Sequence, residues 1–286
     1  MRPSADSEFP AERGRYHLYI SWACPWAHRA AIARKLKGLD DVISMSAVDP
    51  VRDARGWAFT GGEYTDPLNG FAFLSEAYLA CDPSFAQRVT VPVLWDRKTG
   101  RIVNNESSEL LRILNSGFGE LADQSVDLYP LQLRSAIDEI NAFIYPRVNN
   151  GVYKAGFATS QSAYKEAVTD LFEALDVLEQ RLAEQRFLVA SQAPTEADWR
   201  LFTTLVRFDA AYVGHFKCNI RRIADYPVLS AYLRDLYQHP GIAATVRIDE
   251  IKAHYYGTHP EINPNGIVPL GPELDFSASH NRDRLT

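Results

Sequence analysis

Apolar and polar side chains first alternate over residues 16–21, where Tyr16, Leu18 and Ile20 interleave with His17, Tyr19 and Ser21. A period of two is that of a strand. Ala23-Cys24-Pro25-Trp26 then turns the chain, and the helix formers of residues 27–37 predict a helix with Pro25 at its first position. The apolar run 42–48 predicts a second strand. Residues 49–76, rich in Gly, Pro, Asp and aromatics, predict a long irregular insertion, a kind of loop that is often functional. Residues 89–95 predict a strand interrupted by Pro92, which needs an edge, a bulge or a cis turn. A turn at 96–100, a returning strand at 101–103 and a helix from Asn104 onward complete a small α/β domain with a mixed sheet.

After Leu131 the period changes to that of helices. Residues 136–145, 162–186, 196–209 and 228–239 each carry apolar positions at helical spacing. Leu171, Leu175, Leu178 and Leu182 form one stripe, read as helix–helix core. Thr195 and Asp198 have the spacing of a capping box ahead of Trp199, with Asp in place of Glu or Gln. The second domain is therefore expected to be all-α. Residues 1–14 read as a flexible N-terminal tail and 258–286 as an extended C-terminal one. The domains expected are 15–120 and 121–257.

Composition narrows the class. The 286 residues, 46% hydrophobic and 23% charged, suit two domains with a real core. A net charge of −6, without a basic block, argues against a nucleic-acid partner. No apolar run approaches a membrane span, and the first residues lack the apolar core of a signal peptide. Three scattered cysteines, Cys24, Cys81 and Cys218, do not make a disulfide framework, so a reducing, cytoplasmic location is expected. The histidines and cysteines lack metal-ligand spacing, so no metal is expected, and no glycine-rich phosphate loop is present.

The strand–Cys–Pro–helix junction carries the chemistry. Cys24 falls beside the unpaired N–H groups and positive dipole end of a helix, which favour a thiolate. The third residue beyond it is Ala27, so an intramolecular disulfide of the thioredoxin kind is closed to it and its sulfur partner must come from outside. A solvated thiolate of this sort suits a mixed disulfide with a small thiol such as glutathione. His28 lies one turn further on, yet neither an oxyanion hole nor an orienting group for a Cys–His hydrolase accompanies it. The start of a helix at Glu106-Ser107-Ser108 offers N–H groups and hydroxyls to a carboxylate, or is an ordinary cap.

An α/β domain followed by a helical bundle is the layout of glutathione transferases, a thioredoxin-like half and an all-α half. The segment Cys24-Pro25-Trp26-Ala27-His28-Arg29, Trp57, Val89-Thr90-Val91-Pro92, Asn104-Asn105-Glu106-Ser107-Ser108-Glu109 and Asn149-Asn150-Gly151-Val152-Tyr153 make the likeness specific. So do Arg207-Phe208-Asp209, His215-Phe216-Lys217-Cys218-Asn219, His254-Tyr255-Tyr256-Gly257 and Ile262-Asn263-Pro264. Together they resemble the glutathionyl-hydroquinone reductases, the Xi class of glutathione transferases, over most of the chain. Trp22 departs from the pattern, where a smaller aliphatic residue is expected, and the N-terminal tail looks short for the family.

The resemblance implies that Cys24 is the nucleophile and that Tyr153 is the proton donor. It implies that Tyr212 and Tyr255 hydrogen-bond and stabilise the thiolate. It further implies that glutathione, a co-substrate rather than a tightly bound cofactor, is held by Trp57, Arg88, the Val91 backbone, Glu106 and Ser107. In this scheme the serine takes the γ-glutamyl carboxylate and the acid takes the ammonium. A cis bond before Pro92 would turn the Val91 backbone toward the cysteinyl part of glutathione like an added strand. The expected activity reduces glutathionyl-hydroquinones to hydroquinones through a Cys24–glutathione disulfide, releasing oxidised glutathione. The alternatives are an omega-like thiol transferase acting on protein mixed disulfides, and a non-catalytic binding module of the same fold. A homodimer is expected, pairing through apolar and aromatic positions at 202–212 that read as exposed.

Overall fold

The computed structural model describes residues 8–285. The chain divides into two compact units, one ending at Asp127 and the other starting at Leu128. In the first unit, strand β1 (Tyr16–Ile20), helix α1 (Pro25–Leu36) and strand β2 (Ile43–Ala47) form a parallel β-α-β unit. Helix α2 (Ser75–Cys81) and the hairpin of β3 (Val93–Asp96) and β4 (Arg101–Asn104) follow, then helix α3 (Ser107–Ser116). The strands lie in the order β2-β1-β3-β4, with β3 antiparallel to both β1 and β4. This is the mixed, thioredoxin-like sheet expected.

Every residue of β1 is buried, including His17 and Tyr19 on the polar half of the alternation. The sheet is thus covered on both faces, as a strand flanked by a parallel neighbour generally is. Tyr19 donates to Asp66 at 3.0 Å, and Asp66 also accepts from the backbone N–H groups of Leu68, Asn69 and Phe71. The irregular segment between β2 and α2 is thereby fastened to the central strand. Arg15, just before β1, grips Asp96 at the end of β3 through two bonds of 2.9 and 2.6 Å.

Three readings need correction. The strand expected over 89–95 starts only at Val93, because the Val91–Pro92 bond is cis and the preceding residues leave the ladder. The described part of the N-terminal stretch is not free: Phe9 is buried and Tyr16 donates to the Pro10 carbonyl at 2.7 Å. The residues after α3 stay with the first unit beyond 120. Phe118 meets Tyr16 edge-on, and buried Lys37 donates to the carbonyls of Asp123 and Val126.

The second unit is helical: α4 (Arg134–Ile144), α5 (Gly151–Gly156), α6 (Gln161–Glu184), α7 (Glu196–Arg207), α8 (Pro227–Tyr237) and α9 (Ile248–Gly257). The leucine stripe of α6 is buried along its length. Thr195 and Asp198 form the capping box at the start of α7. Two π-helical turns, Tyr145–Asn149 after α4 and Phe208–Tyr212 after α7, break the regular period. The stretch 202–212, expected to be an exposed pairing surface, is core: Phe202, Phe208 and Tyr212 are fully buried. Its helix is apolar all round because neighbouring helices pack on every side.

The segment beyond α9 runs over the second unit without regular structure. Lys252 donates to Leu270 O and Gln238 to Phe276 O and Ala278 O, while buried Arg282 donates to three carbonyls at the end of α6. Among the described residues no helix is long and apolar enough to cross a membrane.

Candidate active site

Cys24 is the N-cap of α1, in extended backbone geometry, with Pro25 at the first helical position. Its carbonyl accepts the His28 N–H at 3.0 Å, so the helix begins at the cysteine itself. The sulfur thus sits at the positive end of the α1 dipole. Its thiol donates to the Val91 carbonyl, 3.8 Å away. The solvated sulfur expected from sequence is instead a sheltered one, with Cys24 only 9% exposed. Cys218 makes the contrast. It lies in the second unit, and burial pushes its pKa up to about 12. No disulfide joins the cysteines.

Glu106 caps α3, its carboxylate accepting from Ser108 N at 3.1 Å and Ser108 Oγ at 3.2 Å. Ser107 is buried directly beside it. Asn104 Oδ1 receives the Glu106 N–H at 2.7 Å, which fixes the entry of the chain into the helix. Trp57 is buried in the irregular segment, with Arg52 over its ring at 5.4 Å. Arg88 is exposed in the connection between α2 and β3. The first unit therefore pairs Cys24 with Val91 and Glu106 with Ser107.

The second unit brings the three tyrosines together. Tyr255 Oη lies 2.6 Å from Tyr153 Oη and 3.0 Å from Tyr212 Oη, so the hydroxyls form a chain with Tyr255 in the middle. Tyr212 and Tyr255 are fully buried, whereas Tyr153 is half-buried. Burial, reinforced by the two neighbouring phenols, raises the pKa of Tyr255 well above its ordinary value, which keeps this phenol a donor. Phe216 backs the group, stacked on Tyr212 and edge-on to Tyr153. It fits there because position 156 is glycine: a Cβ would come within 2.2 Å of the Phe216 ring.

Two features escaped the sequence reading. Arg29, buried on α1, donates to Ser107 Oγ at 3.4 Å. His215 and His259 are buried and hydrogen-bonded to each other at 3.0 Å, against the same aromatic group. Periodicity holds no signal for either. Only the positions of Arg29 one helical turn beyond Cys24 and of His215 beside Phe216 pointed to them. Asp235, His280 and Asp283 also converge, but Arg186 binds both carboxylates at 2.8 and 2.7 Å and occupies the place of a cation.

A thiol at a helix N-cap beside a cis-proline backbone, on a mixed four-stranded sheet with a helical second unit, defines a glutathione transferase. Family models of the glutathione S-transferase N-terminal and C-terminal domains match residues 23–116 and 161–235. The chain belongs to the glutathione transferase family, and within it to the Xi class. It is 53% identical to the glutathionyl-hydroquinone reductase YqjG of Escherichia coli (strain K12), over 98% of this chain and 86% of that protein. The glutathione-bound structure of YqjG superposes with a TM-score of 0.94 over 99% of this chain and 92% of the other. The Xi-class transferase of Natrialba magadii gives a TM-score of 0.96 at 51% identity, over 100% and 90% of the two chains. Glutathione S-transferase omega-like 2 of Schizosaccharomyces pombe is 48% identical over 92% of this chain and 87% of its own length.

Proposed function

We propose that the protein is a glutathionyl-hydroquinone reductase working through Cys24. The observation that carries the reading is the sulfur at the N-cap of α1, with Ala27 where a resolving cysteine would stand. The Cys24 thiolate attacks the thioether sulfur of the substrate. The carbon–sulfur bond breaks, its electron pair passes to the ring carbon, and that carbon takes a proton. The products are hydroquinone and a Cys24–glutathione disulfide, the sulfurs oxidised and the ring reduced. A second glutathione thiolate then attacks the disulfide, releasing oxidised glutathione and restoring Cys24.

Tyr153 is the proton donor, and the chain through Tyr255 to Tyr212 supports its charge as the proton leaves. The closeness of Cys24 to the Val91 carbonyl supports glutathione binding with its cysteinyl backbone on Val91. The capped start of α3 supports Ser107 as the ligand of the γ-glutamyl carboxylate and Glu106 as that of the ammonium. Trp57 and Arg88 complete the glutathione contacts, and no tightly bound cofactor takes part. The cytoplasm, where glutathione is reduced, suits this cycle.

A second reading, thiol transfer onto protein mixed disulfides, is favoured by the name of the Schizosaccharomyces relative and shares the resolution step. Cys24→Ser separates enzyme from binding module, since a serine hydroxyl is not ionised at neutral pH. Its turnover of glutathionyl-hydroquinone should fall below about a tenth of wild type, a loss above about 1.4 kcal/mol in the barrier. Retained turnover would remove Cys24 as nucleophile. Reduction of a glutathionylated protein faster than of glutathionyl-hydroquinone would favour the second reading.

A further inference from the structure

Arg29 lies one turn beyond the nucleophile on α1, is 1% exposed, and donates through Nη1 to Ser107 Oγ at 3.4 Å. Its guanidinium carbon sits 4.4 Å from the centroid of the Trp26 ring, so the Trp26 face holds the group from behind. A guanidinium has donors only. In this contact Ser107 Oγ is therefore the acceptor, and the serine keeps its own proton to give. The acceptor now nearest that proton is Glu106 Oε1 at 3.5 Å, the long limit of a hydrogen bond, and this oxygen already receives Ser108 N and Ser108 Oγ. An arriving carboxylate would take the Ser107 proton more strongly. The same position places a fixed positive charge under the N-terminus of α3, where burial strengthens its field.

We propose that Arg29 is the positioning residue of the γ-glutamyl subsite. It fixes Ser107 as a donor and selects ligands that carry the α-carboxylate of glutathione. The inference rests on the reading that the start of α3 holds that end of glutathione.

Two probes test it by calorimetry on the intact protein, with no turnover required: S-methylglutathione, and the same tripeptide with γ-aminobutyrate in place of the γ-glutamyl residue. Wild type should bind the carboxylate-bearing probe about 10- to 100-fold more tightly, the range for a charged hydrogen bond. Arg29→Met should bring that ratio to within about threefold. Arg29→Lys, which keeps the charge but not the planar fork, should fall between. In steady state with glutathionyl-hydroquinone, Arg29→Lys should raise KM for glutathione and leave kcat within about twofold.

If Arg29→Met fails to fold, Arg29→Lys combined with Ser107→Ala decides. The two changes should be strongly non-additive in probe binding. Additive effects, or a carboxylate ratio unchanged in either Arg29 variant, overturn the proposal and leave Arg29 a tie between α1 and α3. Wild type that fails to distinguish the probes would instead overturn the γ-glutamyl reading of α3. Wild type that distinguishes them but does not turn over glutathionyl-hydroquinone would sink the proposed activity alone.

Discussion

Removal of the Asp198 carboxylate is expected to cost the second unit several times more than an ordinary helix cap. Asp198 is fully buried and accepts four hydrogen bonds: from Leu188 N at 2.8 Å, Thr195 N at 2.8 Å, Thr195 Oγ1 at 2.9 Å and Tyr232 Oη at 2.8 Å. Only the Thr195 pair belongs to the cap of α7. The other two donors come from the turn after α6 and from α8, so a single carboxylate joins three elements. In Asp198→Ala the cap is lost, about 1 kcal/mol. The Leu188 N–H and Tyr232 O–H are stranded in the core, each costing about 1–3 kcal/mol. Relief of burying the carboxylate, and a water entering the vacated space, return part of this. The net expected is about 3–5 kcal/mol. Thr195→Ala disturbs the cap alone and should cost about 1 kcal/mol. Urea unfolding followed by far-UV circular dichroism gives both numbers, and hydrogen exchange of α7 and α8 amides locates the loss. An Asp198→Ala cost no greater than that of Thr195→Ala would refute the three-element argument.

Tyr153→Phe should still form the Cys24 disulfide from oxidised glutathione but lose about 10²–10⁴ of hydroquinone-forming turnover, as for a missing general acid. Equal loss of both reactions would make Tyr153 a structural residue. Acid should weaken the fold through His215, whose pKa is pushed down to about 4 by burial and by His259. From its ordinary value of 6.5 down to about 4 the unfolded chain binds a proton that the folded chain refuses, so this stability is present above pH 6.5 and lost on acidification. The stability gap between wild type and His215→Gln should therefore shrink by about 2 kcal/mol from pH 7 to pH 5, and a constant gap would be the contrary result. We also propose a homodimer, supported by exposed Val177, Ile220 and Ile267 on the second unit. Light scattering that gives a stable 32.2 kDa species at micromolar concentration would exclude it.

Much of this was legible in the chain because local rules agreed with the tertiary result. Cys24 is followed by Pro25, and both the N-cap and the start of α1 fall where that pair puts them. The stripe from Leu171 to Leu182 and the Thr195–Asp198 spacing likewise survive unchanged. Where residues answer to distant partners the reading failed. Val91 leaves the strand although its own propensity is strongly β, because the bond to Pro92 is cis. Phe202 to Tyr212 looked like a surface, since an all-apolar helix carries no sign of how many neighbours cover it. The roles of Tyr153, Tyr212 and Tyr255 came from motif likeness alone. No rule of spacing brings residues 153, 212 and 255 to within hydrogen-bonding distance.

The π-helical turn Phe208–Tyr212 holds one residue more than an α-helical path would need, and Tyr212 is its last member. Each residue of an α-helix advances the chain by about 100° of rotation. Loss of a single residue such as Ala210 would therefore let the α-helical path continue, and everything downstream would turn by about 100°. Tyr212 would swing away from the Tyr255 hydroxyl and a neighbouring side chain would take its place. The turn Tyr145–Asn149, just ahead of the helix that carries Tyr153, offers the same option from the other side. The acceptor chemistry of this scaffold is thus one insertion or deletion away from a different set of side chains, a route to new substrates that point substitution does not reach.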